Sequence, residues 1–106
     1  MGMVTPLGNS VEATWSALLA GESGAGPITQ FDTTGYPVTF ACEVKDFDPT
    51  DWADHKNARR MDRYTHLALA AAKQAAADCG LDIAAEADRV GAAVHGGFIG
   101  DGITVA

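Results

Sequence analysis

The chain has 106 residues, a hydrophobic fraction of 47% and a formal net charge of -7 at pH 7. This length is enough for one small domain with a single core, and the charged fraction of 20% is ordinary for a globular protein. The acidic balance argues against nucleic acid as a partner, because phosphate contacts need a broad basic surface. No stretch approaches the roughly 20 apolar residues of a membrane span. The start MGMVTPLGNS also lacks the pattern of a secretory signal.

The cysteines and histidines predict no catalytic, metal or cofactor site. Cys42 and Cys79 stand alone, with neither CxxC spacing nor the spacing of metal ligands to any histidine. Two isolated thiols in a chain without a signal are expected to be reduced, buried and cytoplasmic. His66 falls among apolar residues of a predicted helix, which favours a packed histidine, and His95 alone at a strand end makes no mechanism.

A first helix is predicted to begin at residue 9 or 10. Asn9 with Glu12 three residues later resembles a capping box, although Ser10 is an alternative N-cap. Gly21 is the natural stop of this helix. Between these signals, apolar residues recur at helical spacing and form one stripe: Val11, Trp15, Leu18 and Leu19.

Residues 38–44 alternate between apolar and polar side chains. This pattern predicts a half-buried strand, or an extended segment at a sheet edge, with Cys42 on its apolar side. The following KDFDPTDWAD contains four acidic residues and Pro49, which is typical of a turn that leads into a helix.

A second helix is predicted from about residue 54 to residue 79, with Gly80 at its end. Because alanine side chains are small, another backbone can approach its inward face closely, and we expect this helix to be central to the fold. The apolar run at residues 90–94 then predicts a buried strand of a parallel sheet. The inward face of the helix consists of Met61, Tyr64, Ala68, Ala71, Ala72, Ala75 and Cys79.

Four of the seven cationic side chains lie within the segment HKNARRMDR. They are Lys56, Arg59, Arg60 and Arg63, and we call them the basic cluster. Their spacing of i, i+3, i+4 and i+7 would place all four on one stripe of a continuous helix. Positive charge concentrated in an acidic chain favours a docking surface for an acidic partner. A solvated helix face is the alternative interpretation.

Three blocks of sequence resemble the start of the β-ketoacyl-(acyl carrier protein) synthases, especially the type II elongating enzymes. They are GMVTPLGNSVEATWSALLAGESGAGPITQFDTTGYP, then FACEVKDFDP, and finally RRMDRYTHLALAAAKQAAADCGLD with the strand VGAAV. The resemblance covers about residues 2–94 and leaves residues 95–106 as a divergent tail. It implies an α/β chain forming the N-terminal part of a thiolase-like α-β-α-β-α fold, without that fold's first strand. Residues 1–106 would then be a partial β-ketoacyl synthase N-terminal domain, from a truncated or frameshifted gene.

The same resemblance implies an acyltransferase of fatty-acid biosynthesis that condenses a malonyl group on acyl carrier protein with an acyl thioester. Such an enzyme is expected to be a cytoplasmic homodimer without a cofactor. Its cysteine nucleophile, two histidines and lysine are expected beyond residue 106, so this chain alone should be inactive. Lys56, Arg59 and Arg60 match family positions that dock the carrier protein, Arg63 is a weaker match, and Phe98 aligns with an acyl-pocket residue.

Two other interpretations follow from the absence of the catalytic residues. The chain is alternatively a non-catalytic module that docks the carrier protein, or the start of a ketosynthase-like partner that lacks the nucleophile. In isolation we expect it to be marginally stable, with Trp15, Leu18, Phe40 and the alanine face left without packing partners.

Overall fold

The computed structural model describes residues 1–89 and, as backbone, the two strands Ala92–Val94 and Ile103–Val105. The chain divides into two compact units, one of Val4–Phe47 and one that joins Met1–Met3 to Asp48–Ala106. Among residues 1–89 the buried side chains are all small. They are Thr14 and Ala17 in the first unit, and Ala58, Thr65 and Ala70 in the second.

In the first unit, helix α1 spans Val11–Leu19 and begins at the alternative N-cap. Ser10 has an extended backbone, and its hydroxyl accepts a hydrogen bond from the amide of Ala13 over 3.1 Å. The capping box predicted for Asn9 is therefore wrong. The Asn9 amide nitrogen instead donates at 3.0 Å to two loop carbonyls, those of Lys45 and Asp46.

The end of α1 is the predicted one. Gly21 has a φ of 71°, in the left-handed region that favours glycine. Its amide donates to the carbonyl of Leu18, and the amide of Glu22 donates to the carbonyl of Ala17, each over 3.0 Å. These two bonds form a Schellman motif, which satisfies carbonyls that the helix end would otherwise leave unpaired.

The apolar stripe of α1 lies mostly in solvent. Trp15 is 59% exposed, Leu18 52% and Leu19 71%, whereas the buried face of the helix is formed by Thr14 and Ala17. The expectation that Trp15 and Leu18 lack packing partners in this chain is confirmed. The stripe therefore contributes little to the core of its own unit.

The first unit also contains a short antiparallel ladder. Strand β1, Gly26–Pro27, pairs with strand β2, Phe40–Ala41. The predicted strand over residues 38–44 is thus shortened to two residues, although the Ile28 amide still donates to the Thr39 carbonyl over 3.0 Å just beyond the ladder. Phe40 is 64% exposed, as expected for this chain alone. Cys42 is also exposed, so the prediction of a buried thiol there is wrong.

In the second unit, the predicted helix over residues 54–79 is interrupted. A 3-10 helix at Pro49–Asp51 is followed by helix α2 at His55–Ala58 and helix α3 at Arg63–Asp78. Between them, Asp62 has an extended backbone with a ψ of 161° and forms the N-cap of α3. A single continuous helix was therefore the wrong prediction, because this extended residue cannot carry the i to i-4 bonding across the break.

The alanine face of α3 receives another backbone, as predicted. A Cβ built on Gly2 would lie 1.9 Å from the carbonyl oxygen of Ala71 and 2.7 Å from the amide nitrogen of Ala75. Only glycine fits there without a shift of backbone. The expectation that this face is left without a partner is therefore wrong for Ala71 and Ala75, which are half-buried.

Two residues of the predicted inward face are exposed. Ala72 points away from the covered side of α3, and Cys79 lies past its last turn as the C-cap. The burial predicted for the Cys79 thiol is therefore wrong. The predicted stop at Gly80 is confirmed by its φ of 69°.

The strand predicted over residues 90–94 is present as β3, Ala92–Val94. It pairs antiparallel with β4, Ile103–Val105, so the prediction of a parallel sheet is wrong for this pair. No strand was predicted for the segment that forms β4, whose glycine-rich surroundings carry no alternating pattern. His95 and Phe98 lie outside the described residues.

Candidate docking site

The basic cluster lies around the break between α2 and α3. Lys56 is inside α2, Arg59 is its C-cap, Arg60 follows, and Arg63 is the first residue of α3. All four are exposed. The prediction that they share one stripe of a single helix is wrong, because the helix is interrupted between them.

Three of the cations surround one depression of the surface. A cleft of about 640 Å³ is lined, among the described residues, by His55, Lys56, Arg59 and Arg60. Arg63 is not part of that lining. Three of the cluster's members, all on the α2 side of the break, therefore lie together with a histidine at a single concave surface.

The charges that line the cleft are available to a partner. Within residues 1–89, no hydrogen bond or ion pair joins the side chain of Lys56, Arg59 or Arg60 to another described residue. Arg63 differs, since it has an interaction of its own. Three exposed cations without local carboxylate partners attract anionic groups over a distance set by ionic screening, about 8 Å at physiological salt.

Two acidic caps hold the chain that leads into this site. The Asp48 carboxylate accepts from the amide and the hydroxyl of Thr50, over 2.8 Å and 2.6 Å, and so caps the 3-10 helix. The Thr50 hydroxyl first, and then its amide, hold the pKa of Asp48 below its ordinary value of 3.8. Asp54 caps α2 by accepting from the amide of Asn57 over 2.9 Å.

Contacts with α3 fix the far end of the same segment. His66 places its Nε2 atom 2.7 Å from the carbonyl oxygen of Ala58, the last residue of α2. The Lys73 ammonium donates to the carbonyl of Trp52. Sequence reasoning predicted His66 only as a packed histidine and gave Asp54 no role as a cap. The available signal for that cap was an aspartate directly before the predicted helix, since aspartate is a favoured N-cap residue.

The described residues provide no geometry for nucleophilic catalysis. Both cysteines are exposed, and the Cys79 thiol lies 3.2 Å from the carbonyl of Ala76. No hydrogen bond in residues 1–89 joins either thiol to a histidine. In the same part of the chain, no three side chains of histidine, cysteine, aspartate or glutamate are grouped to hold a metal ion.

A second cleft of about 260 Å³ lies in the unit Val4–Phe47. Its lining includes Asn9, Glu22, Lys45 and Asp46, and no cysteine or histidine. Asp46 has a φ of 52°, which is unusual for a residue other than glycine. The Asn9 side chain stabilises this loop by its two bonds to backbone carbonyls. This cleft is therefore explained by loop structure.

Comparison with known proteins decides the family. A sequence model described as the N-terminal domain of beta-ketoacyl synthase matches residues 1–104. The chain belongs to the β-ketoacyl synthase family. The resemblance drawn from the three sequence blocks is thereby confirmed. Among the helices of the described residues, none combines the length and apolar character needed to cross a membrane.

The chain is also similar to curated proteins of one name. The chain is 46% identical over 101 residues to "3-oxoacyl-[acyl-carrier-protein] synthase 2" of Coxiella burnetii, covering 94% of this chain and 24% of the relative. The identity is 48% over 101 residues, with the same coverage, to the protein of that name from Vibrio harveyi. It is 45% over 104 residues for the Staphylococcus aureus protein, covering 97% of this chain and 25% of that one. The chain thus spans about a quarter of the length of these synthases.

A solved structure confirms the fold class. "The ishigamide ketosynthase/chain length factor" matches with a TM-score of 0.70 and 43% sequence identity, over 78% of this chain and 21% of that one. The predicted α/β class, as part of a thiolase-like ketosynthase fold, is therefore right. The errors in the sequence-based prediction concern the course of individual elements and not the fold to which they belong.

Proposed function

We propose that this chain is the N-terminal part of a 3-oxoacyl-(acyl carrier protein) synthase of fatty-acid biosynthesis. The complete enzyme would condense a malonyl group on the carrier protein with an acyl thioester. The observation that carries this proposal is the identity of 46% to a 3-oxoacyl-[acyl-carrier-protein] synthase 2 over 94% of the chain. On this view residues 1–106 form part of one catalytic domain, with residues 95–106 as a divergent segment.

The chain's own contribution would be to dock the acyl carrier protein, an acidic partner. Lys56, Arg59 and Arg60 support this role because they are exposed, line one cleft and have no carboxylate partner among residues 1–89. Arg63, at the start of α3, would flank the contact. Such a surface would act mainly by steering the anionic partner into place, and its effect should weaken with added salt.

The chemistry of condensation is assigned to residues outside this chain. In the proposed complete enzyme, a cysteine accepts the acyl group, and two histidines support decarboxylation and stabilise the oxyanion that develops. Phe98 would contribute to the acyl pocket. We further propose a cytoplasmic homodimer that needs no cofactor, nucleic acid or membrane. By itself the chain should yield no ketoacyl product from acyl and malonyl carrier substrates.

A second candidate is a ketosynthase-like partner or docking module without a nucleophile. The observation that favours it is the match to a structure whose title names a chain length factor together with a ketosynthase. Both candidates use the basic cluster to bind carrier protein, but only the first takes part in condensation.

A chimeric synthase distinguishes the two candidates. This chain would replace the matching segment of the Vibrio harveyi relative, to which it is 48% identical. Condensation by the chimera with kcat close to that of the relative supports the synthase proposal. A chimera that folds and binds carrier protein, yet forms no product, contradicts it and favours the docking module.

Charge reversal in the chimera tests the docking surface. Changing Lys56, Arg59 and Arg60 to glutamate should raise KM for the carrier substrate by about tenfold or more, equal to about 1.4 kcal/mol. The melting temperature should hardly change, because exposed charges contribute little to folding. Lys45→Glu, an exposed cation of the other unit, is the matched control. An unchanged KM with a large loss of stability would mean that the cluster is structural.

A further inference from the structure

The segment that carries most of the basic cluster is too short to keep its own shape. Helix α2 has four residues, His55–Ala58, which is little more than one turn. A single turn fixes several backbone dihedral angles for very few hydrogen bonds and is unstable in isolation. The direction in which Lys56 and Arg59 project must therefore be set by contacts with other parts of the unit.

A side chain of α3, that of His66, contacts the end of α2. Its Nε2 atom lies 2.7 Å from the carbonyl oxygen of Ala58, and both residues are shielded, with Ala58 only 6% exposed. A carbonyl oxygen can only accept, so Nε2 must carry the hydrogen and donate. The backbone alternative is weaker, since the amide of Met61 lies 3.4 Å from the same oxygen.

The position of this bond links it to the basic cluster. Ala58 is the last residue of α2 and directly precedes Arg59 and Arg60. Its carbonyl is one of those that a helix end leaves without an internal partner. A donor from α3 that fixes this carbonyl also fixes the backbone from which the two arginines extend. At the other end, the Asp54 cap fixes the start of the same turn.

We infer that His66 is a positioning residue for carrier docking. It donates from Nε2 to the Ala58 carbonyl, holds α2 as a helical turn, and thereby presents Lys56, Arg59 and Arg60 together at one cleft. This inference rests on the proposed docking function, and it assigns to His66 no contact with the partner. The substitution His66→Leu fills the position with an apolar side chain and removes the donor, while His66→Gln retains an N–H group on a side chain of moderate length.

The first measurement reads the order of α2 directly in the full 106-residue chain. The amides of Ala58 and Arg59 donate to the carbonyls of Asp54 and His55 over 2.8 Å and 3.2 Å. Their hydrogen exchange should be about fivefold to tenfold faster in His66→Leu, the change expected for loss of one hydrogen bond. Exchange in His66→Gln should stay close to that of the unaltered chain. The Thr14 amide in α1 serves as the internal control.

The second measurement uses a bacterial holo acyl carrier protein as the probe. Its affinity should fall by about fivefold in His66→Leu and recover in His66→Gln, although neither change alters the cations. Unchanged hydrogen exchange at Ala58 and Arg59 in His66→Leu would overturn the inference. An equal loss of carrier affinity in His66→Leu and His66→Gln would also overturn it, because it would mean that His66 acts by packing alone. Faster exchange with unchanged affinity would also overturn the positioning role.

The variant Arg59→Glu separates a failure of this inference from a failure of the docking proposal. If Arg59→Glu leaves carrier affinity unchanged, the docking proposal is wrong, and the role of His66 in carrier binding is wrong with it. If Arg59→Glu weakens binding and His66→Leu does not, only the inference about His66 is wrong.

Discussion

Hydrogen bonds from threonine hydroxyl groups lower the pKa of several acidic side chains. Thr29 donates from its hydroxyl to one oxygen of the Glu43 carboxylate over 2.8 Å and from its amide to the other over 3.1 Å. These bonds, the hydroxyl first, lower the pKa of Glu43 from its ordinary 4.5. A carboxyl group lowered in this way contributes stability that is full above pH 4.5 and is lost as the pH falls through its folded-state pKa.

Removing that hydroxyl should move the titration of Glu43. In Thr29→Val the pKa of the carboxyl group should rise toward 4.5, since the hydroxyl bond is lost and only the amide bonds and the charge of Lys45 still lower it. The stability that Glu43 contributes above pH 4.5 should then become smaller, because the window between its folded-state and unfolded-state pKa narrows. Carboxyl-carbon NMR titration measures the change, and Thr29→Ser, which keeps a hydroxyl, is the control. A pKa of Glu43 that is the same in Thr29→Val and in the unaltered chain would contradict this account.

The candidate site was only partly predictable at the residue scale. Lys56, Arg59 and Arg60 could be identified because clustered charge is visible in the sequence, whatever the local backbone does. The role inferred for His66 could not, because the residue lies eight positions from its acceptor, Ala58. A histidine among apolar residues gives no sign of which carbonyl it will contact until the break in the helix is known.

At the scale of elements, the ends of the helices could be predicted better than the break within the second predicted helix. Gly21 and Gly80 end their helices as predicted, since the left-handed conformation there is a local property of glycine. The break before Asp62 was missed because helical periodicity continues through it. Aspartate is favoured at N-caps, but the Asp62 side chain makes no capping hydrogen bond, and its extended backbone alone marks the start of α3.

The Schellman motif of α1 provides a test of such a local signal. A Cβ at Gly21 would meet no heavy atom within 4 Å, so Gly21→Ala adds no clash and its cost is that of the left-handed backbone alone. We expect a loss of about 1 kcal/mol in the stability of the unit Val4–Phe47. Denaturant unfolding followed by the fluorescence of Trp15 measures it, in chains that carry Trp52→Phe so that Trp15 alone is observed. Gly21→Asn should cost less, because asparagine tolerates this conformation. Equal stability of Gly21→Ala and the unaltered chain would mean that the motif does not hold the helix end.

At the scale of the whole molecule, the fold class could be predicted and the burial could not. The three sequence blocks identified the ketosynthase fold, because family patterns survive in a chain that spans about a quarter of its relatives. The burial of an apolar side chain depends on packing partners, and residues 1–89 do not provide such partners for all of their own apolar side chains. The apolar stripe of α1 and the apolar side of β2 are therefore exposed, while small residues such as Thr65 and Ala70 are buried.

This exposed apolar surface predicts that the isolated chain associates. Its apolar side chains in the unit Val4–Phe47 include Trp15, Leu18, Leu19, Val38 and Phe40, each more than half exposed. Apolar side chains left in water favour contact between copies, at about 25 cal/mol for each Å² that becomes buried. Light scattering over a concentration series should show species larger than a monomer, with broad thermal unfolding.

Replacing Leu18 and Leu19 by lysine should shift the distribution toward monomer, whereas Ser16→Lys, at an exposed polar position, should have less effect. A sharp, cooperative melt from a monomer of the unaltered chain would show that the exposed side chains do not drive association.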